Sequence, residues 1–491
     1  MLLAVPAEVR AQYIFTTNNG TITITQYTGP GGDVTIPNSI NGLPVTGIGP
    51  AAFYQISSMT SVTIGTNVTT IADNAFFQCI NLAGATIPGS VTNIGQGPFI
   101  DCQSLTAISL SAPNSHYSVT NGVLFNKTQT SLIQFPGGIG GSYTLPAAVT
   151  NIGVAFIGNT LTAISVNSSN AYYSSTNGVL FDKSQTFLIS YPGGAVGSYT
   201  VPKSVTTIVS ASFEYSPSVT SVTIGTNVTS IGLLAFFDCA SLTAIAVNST
   251  NAFYSTTNGI LFDKNKTMLI QYPSGLSGSC VIPDTVVNIG DGAFGDAFGL
   301  TSVVIPNNVT NIGQQAFYSC QGLANLTIGG GVRTIGQLAF FFCPGLTHIV
   351  FPASLTNLGF EVFAGCQSLT NVCFEGNQPV DGGSVFFFDN VLSTILHVNG
   401  TTGWGASYDG IPTAPCATCG GSAPQLAIVH SGTNVIVTWP TNFTGYTLQS
   451  TTNLVSPADW ITNTPLPVIV NTNNAVTDSI SGARKFYRLS Q

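Results

Sequence analysis

Hydrophobic positions in this chain recur on a fixed step of 23 residues. From Val309 to Phe374 one pattern appears three times in succession: VTNIGQQAFYSCQGLANLTI, VRTIGQLAFFFCPGLTHIVF and LTNLGFEVFAGCQSLTNVCF. Phe317, Phe340 and Phe363 anchor the three copies, and Cys320, Cys343 and Cys366 keep the same step. A short strand of alternating apolar and polar residues follows each cysteine, with the apolar side chains directed inward. A fixed period of this length predicts stacked turns of a solenoid around one linear core.

The phenylalanine column extends upstream through Phe53, Phe76, Phe99, Phe156, Phe213, Phe236 and Phe294, which predicts about ten turns. An apolar column precedes it, from Ile48 and Ile71 to Ile335 and Leu358. The F-x-x-C segment between strands predicts a helical turn. Three steps are longer, and each holds a similar insert: HYSVTNGVLFNKTQTSLIQFPGG, YYSSTNGVLFDKSQTFLISYPGG and FYSTTNGILFDKNKTMLIQYPSG. These lie near 114–146, 170–202 and 251–283 and read as β-hairpin excursions, such as Val179–Phe181 and Thr186–Ser190 around a polar turn. Pro-Gly-Gly or Pro-Ser-Gly then returns the chain to the solenoid.

The flanks complete the organisation. Residues 12–50 predict an N-terminal β cap, which a solenoid needs to cover its first open edge. The period ends after Phe374; 375–412 reads as a C-terminal cap and 413–424 as a Pro/Gly/Ser linker. From 425 to 491, short alternating strands with frequent turn residues predict a small β-sandwich.

The I-G-x-x-A-F-x-x-C-x-x-L-T-x-I-x-I-P pattern resembles the BspA-type leucine-rich repeats of bacterial surface proteins, over roughly Gly20 to Pro412. The N-G-V-L-F-D-K inserts look like the hairpin variant of the same family. The resemblance implies a right-handed solenoid, secretion, and roles in adhesion or protein binding, with no shared catalytic residues. The tail from Gln425 resembles immunoglobulin- or fibronectin-type-III-like modules of secreted bacterial proteins. Together these give a mainly β protein: a leucine-rich-repeat solenoid with hairpin inserts and a C-terminal β-sandwich.

Composition narrows the function. Charged residues are only 6% of the chain, against roughly 25% in an average soluble domain. With ten Lys+Arg and a formal net charge of −8, there is no basic surface for nucleic acid. No apolar run reaches the roughly 18 residues of a membrane-spanning helix. The first eleven residues, MLLAVPAEVRA, read as the remnant of a secretory signal, which fits a secreted or cell-surface protein.

Candidate chemistry is sparse. The column cysteines Cys79, Cys102, Cys239, Cys320, Cys343 and Cys366 give way to Ile56, Asn159, Ser216 and Ala297 in sister turns. A position that accepts Ile or Ala is packing, not a metal ligand or an obligatory disulfide. Cys280 also reads as packing, and Cys373 as an exposed thiol. Cys416 and Cys419 form a C-x-x-C pair outside the repeats, open to a redox, half-zinc or local-disulfide reading; a local disulfide suits an oxidising compartment. No catalytic motif is found, the four histidines are scattered, and no column carries acids in neighbouring turns. Catalytic residues, metal and cofactors are therefore all read as none. Large residues that follow the column phenylalanines, Tyr54, Phe77, Phe237, Tyr318 and Phe341, form a candidate partner-binding stripe if exposed and extra core if not.

The leading expectation is a non-enzymatic, adhesin-like protein that binds an extracellular protein or polysaccharide through its repeats. The alternative is a self-associating surface-layer or filament protein, since little charge opposes association. A polysaccharide-active enzyme ranks last, because it needs a carboxylate pair across a cleft.

Overall fold

The computed structural model describes residues 12–387, 391–416, 418–419, 426–431, 434–440, 447–452, 460–462, 467–470, 473–479 and 485–490. The signal-like segment 1–11 and half of the expected linker fall outside them. The chain is mainly β, a solenoid of about 16 turns, with no helix among the described residues. It divides into a first unit (1–265, 269–277 and 291–299) and a second unit (266–268, 278–290 and 300–491).

In the first unit, Tyr13–Asn18 pairs antiparallel with Thr21–Tyr27, which pairs parallel with Leu43–Ile48. This covers the sheet edge at the start of the stack. Two parallel sheets then run along the turns. One contains Met59–Thr63, Gly84–Ile87 and Ala107–Leu110; Ser61 faces Gly84, and Gly84 faces Ala107, a register of one repeat. The other consists of two-residue strands such as Thr70–Ile71 and Asn93–Ile94, whose isoleucines face one another. Register follows the period because each turn must place the same apolar side chains inward.

The third face carries the phenylalanines, and it is not helical. Two residues before and two after the column phenylalanine, the backbone is left-handed. Gln55, Gln78, Asp101, Tyr215, Asp238 and Asp296 are left-handed at the second position, and Ala51, Asn74, Ala211 and Leu234 at the first. Between these reversals the amides point along the stack: Phe53 N donates to Ala75 O, Gln55 N to Phe77 O, and Phe76 N to Pro98 O. A helix would turn those donors inward on its own carbonyls, so the bonds between turns displace it. They also offset a cost of about 1–2 kcal/mol for each non-glycine residue held left-handed.

The inserts are turns of the solenoid rather than excursions, which corrects the ten-turn expectation. Phe135, Tyr191 and Tyr272 occupy the aromatic column, with ring centroids 5.3, 4.8 and 5.0 Å from Phe156, Phe213 and Phe294. Gly141–Leu145 and Gly197–Thr200 then join the parallel sheet. Each insert is a three-stranded meander, not a two-stranded hairpin; the second comprises Tyr173–Thr176, Val179–Asp182 and Phe187–Ser190. Its first bend is Asn177-Gly178, both left-handed, as a two-residue type I′ turn requires.

The second unit is more regular. Its short strands, Asn288–Ile289, Asn311–Ile312, Thr334–Ile335, Asn357–Leu358 and Val380–Asp381, pair in unbroken register. Phe340 stacks on Phe317 and Phe363 at 4.8 and 5.0 Å, with planes only 4° and 3° apart. Ile395–Val398 and Ile411–Cys416 extend the other sheet beyond Asn371–Phe374, so 413–416 is strand rather than linker. Trp404 packs on Phe374, His397 and Tyr408 at this end. The described residues from Ala427 onward form one four-stranded and one three-stranded antiparallel sheet. Val437, Trp439, Leu448 and Val476 form a core there.

Candidate functional site

The low charge follows from how polar groups are satisfied. Threonines in the V-T-x-I segment bond the carbonyl one turn earlier: Thr69 to Thr46, Thr92 to Thr69, Thr229 to Thr206, and Thr356 to Arg333. On the longer strands Thr86 meets Ser109 at 3.1 Å and Thr144 meets Ser165 at 2.8 Å. Hydroxyls and amides thus dress the flanks without ions.

The column cysteines act in the same way inside the core. Cys79, Cys102, Cys239, Cys343 and Cys366 are fully buried, and their thiols donate to Phe53, Phe76, Phe213, Phe317 and Phe340 carbonyls at 3.0–3.2 Å. Cys280 is buried as well.

The candidate stripe is largely interior. Phe237 and Tyr318 are 5% and 9% exposed, and Tyr54, Phe77 and Phe341 are half-buried. Tyr54 stacks on Phe77 at 5.5 Å, and Tyr318 on Phe341 at 5.3 Å. Phe237 lies against the backbone at Gly292 and Gly295, and a β-carbon at Gly295 would lie 2.1 Å from its ring. These rings extend the core on the loop face.

Large exposed side chains sit on the inserts, as well as at Leu233, Phe298, Phe342 and Phe360 outside them. Tyr172 and Phe187 of the second insert are 56% and 45% exposed, and Phe253 of the third is 51% exposed. Tyr172 and Phe253 occupy equivalent positions, taken by His116 in the first insert. A repeated bracket holds this position in place. Asn114, Asn170 and Asn251 are buried. Their carboxamide oxygens accept from the amides two and three residues on: His116 and Tyr117, Tyr172 and Tyr173, Phe253 and Tyr254. Their amide nitrogens donate to the previous turn, at Val91, Val149 and Val228. Lys127, Lys183 and Lys264 donate to the carbonyls of the three asparagines. Sequence reading missed this bracket. Its signal was present: an asparagine two residues before the His, Tyr or Phe that opens each insert, and a lysine thirteen residues after it.

The loop face of the first unit also gathers acids that looked scattered along the chain. Asp101, Glu214 and Asp238 repel one another, and Asp296 adds to the field on Tyr215. Burial, with a contribution from Asp238, pushes the Asp101 carboxyl up to about 7. Burial and then the neighbouring acids push Glu214 up to about 8. Burial also raises Asp238. Tyr215 lies beside them, 4% exposed, and its hydroxyl accepts from Gln78 Nε2 at 3.1 Å; Gln55 donates in turn to Gln78 at 2.7 Å. Gly158 makes this approach possible. Its φ is +73°, and a β-carbon there would lie 2.7 Å from the Asp101 backbone. The intervening short turns bring these acids together, with Asp101 and Asp296 buried and Glu214 and Asp238 half-buried.

At the end of the second unit, the cystine joins Cys373 to Cys419 rather than Cys416 to Cys419. Cys373, expected to be exposed, is 2% exposed. Cys416 lies 3.7 Å from Cys373 Sγ, and its thiol donates to the His397 carbonyl at 3.3 Å. The His397 ring is engaged elsewhere, by Thr401 at 3.2 Å and by stacking on Trp404. Among the described residues no helix is long and apolar enough to cross a membrane.

Among solved structures, the chain is similar to a leucine-rich cell-surface protein from Faecalibacterium prausnitzii, at 25% identity and TM-score 0.40, covering 79% of this chain and 94% of that one. The pneumococcal vaccine antigen PcpA aligns at 18% identity and TM-score 0.35, over 78% and 85%. A leucine-rich repeat protein from Eubacterium ventriosum aligns at 21% identity and TM-score 0.29, over 72% and 91%. No curated protein matches. Six copies of the BspA type leucine-rich repeat region are found at residues 32–141, 191–278 and 272–393. That family model covers more than half of the chain, and the period and register agree with it: the chain belongs to the BspA-type leucine-rich repeat family.

Proposed function

We propose that this protein is a non-enzymatic, adhesin-like binding scaffold, secreted or held at the cell surface, whose partner is an extracellular protein or polysaccharide. The observation that carries the reading is the set of exposed side chains on the inserts, Tyr172, Phe187 and Phe253. The buried asparagine bracket fixes the backbone at Tyr172 and Phe253, and the Asp182 carboxylate accepts from the Phe187 amide, so these rings are presented from held backbone. Rigid aromatic anchors lose little conformational entropy on binding, and both protein and sugar partners use them. Family membership supports a surface location. The seven-strand arrangement after residue 426 fits an immunoglobulin- or fibronectin-type-III-like sandwich that spaces or attaches the solenoid.

The acids of the first unit do not favour a glycosidase. A carboxylate pair must face substrate across an open cleft. Here Asp101 is 3% and Asp296 7% exposed, and the Tyr215 side chain lies buried beside them.

The test is a binding screen of the full chain against extracellular-matrix proteins, cell-wall polymers and polysaccharides. Saturable binding is expected, weakened at least about tenfold in a Tyr172→Ser/Phe187→Ser/Phe253→Ser variant that melts like the parent. Binding unchanged by the triple substitution would remove the inserts as the contact surface. Concentration-dependent assembly without any partner would favour the structural alternative.

A further inference from the structure

We propose that Cys373, Cys416 and Cys419 form, once the cystine is reduced, a three-thiolate site for one soft metal cation, zinc(II) or copper(I). The three sulfurs all lie within 4.8 Å of one another. A metal–sulfur bond of about 2.3 Å sets the sulfurs of a trigonal or tetrahedral centre about 3.8–4.0 Å apart, close to the 3.7 Å between Cys373 and Cys416.

The fold converges on this cluster. Cys373 faces Leu396, and Leu396 faces Ala414, in adjacent parallel strands. Cys416 lies two residues beyond Ala414, so strand alternation turns it to the same side as Cys373. Cys419 arrives on the chain that leaves the strand. The sulfurs form a triangle rather than a line. That arrangement suits a shared cation better than attack of Cys416 on the cystine, which needs its sulfur in line with the bond it breaks.

The donor set selects the cation class. Three thiolates favour copper(I) or zinc over calcium or magnesium. Because the His397 ring is held by Thr401 and Trp404, the protein offers three ligands; copper(I) accepts three, and zinc completes its set with water. The other free cysteines are buried, and those of the repeat column donate to backbone carbonyls, so one site per folded chain is expected. A phosphine delivers two electrons to the cystine, and water supplies the two protons that complete the thiols and the oxygen of the phosphine oxide. The cation then displaces the thiol protons.

The experiment uses the full chain, oxidised or phosphine-reduced under inert gas, dialysed against zinc(II), copper(I) or calcium(II). Metal content is read by elemental analysis, and near-ultraviolet circular dichroism reports the Trp404 packing. The reduced chain is expected to hold one equivalent of zinc or copper, and the oxidised chain less than one tenth of that. Bound metal should slow alkylation of Cys373, Cys416 and Cys419 at least tenfold. Cys416→Ser keeps the cystine and the fold, yet after reduction should bind at least a hundredfold more weakly. The proposal is overturned by no uptake on reduction, by undiminished uptake in Cys416→Ser, or by equal uptake of calcium. If reduction loosens the Trp404 packing, added metal must restore it; failure to do so also overturns the proposal.

Discussion

The two units build the same turn under different constraints. In the second, Phe317, Phe340 and Phe363 follow one another without interruption, and their rings are parallel within 4°. In the first, where insert turns feed the column, Phe135 is tilted 34° to Phe156 and Tyr272 24° to Phe294. Uninterrupted repeats let every contact be identical, so packing is uniform and chemically plain. Inserts shorten some loops, and neighbouring full loops close over the gap. That closure buries Tyr215 with Asp101 and leaves Glu214 and Asp238 half-buried beside them, while the inserts carry Tyr172, Phe187 and Phe253 outward. Regularity gives the stack its core, and its interruption gives it distinct surfaces.

The largest effect should come from the uniform region. Phe340→Ala removes a fully buried ring from between two others and is expected to cost about 3–5 kcal/mol in denaturant unfolding of that transition. Phe135→Ala should cost less, because its tilted stack offers fewer parallel contacts; an equal or greater loss would break the comparison. Next comes the bracket. Asn251→Ala leaves the Phe253 and Tyr254 amides and the Val228 carbonyl without that partner, for about 2–4 kcal/mol. Hydrogen exchange at the Phe253 and Tyr254 amides should accelerate, while exchange around Phe340 should not change.

The clustered acids make a pH prediction specific to the first unit. Their folded-state values are raised, to about 7 for Asp101 and about 8 for Glu214, above the ordinary carboxyl range of roughly 4. Between those limits the folded state holds more protons than the unfolded state. Stability should therefore be greatest below about pH 4, fall as pH rises, and level off above about pH 8. Glu214→Gln should flatten the slope of the first transition. A stability profile independent of pH across this window would show that the acids are solvated. The smallest effect concerns Ser216, whose buried hydroxyl has no partner where sister turns carry a bonded thiol. Ser216→Ala should raise the melting free energy by about 0.5–1 kcal/mol; a loss would reveal a bond that the hydroxyl makes.

Much of this was legible in the residues. The step between Phe317, Phe340 and Phe363 implies register, core and the parallel sheets, because stacked turns must superpose equivalent side chains. The packing role of Cys79, Cys102 and Cys239 followed from the Ile, Asn, Ser and Ala that replace them in sister turns. The turn count was not legible, because Phe135, Tyr191 and Tyr272 come after shifted spacings and before Pro-Gly or Pro-Ser, which resembles the end of an excursion. The exposure of Tyr54, Phe77, Phe237, Tyr318 and Phe341 also could not be read from their spacing. Inward and outward positions differ only in what the next loop places over them.

The sequence by itself determined the repeat, its apolar columns, the inserts and an economy of charge, since each is a one-dimensional pattern that stacking must respect. Only the tertiary structure decided which sulfur pairs with Cys373, that Asp101, Glu214 and Asp238 meet on one loop face, and that Tyr172, Phe187 and Phe253 stand exposed on the inserts. Those outcomes depend on how short turns let distant loops approach, and no local spacing encodes that distance.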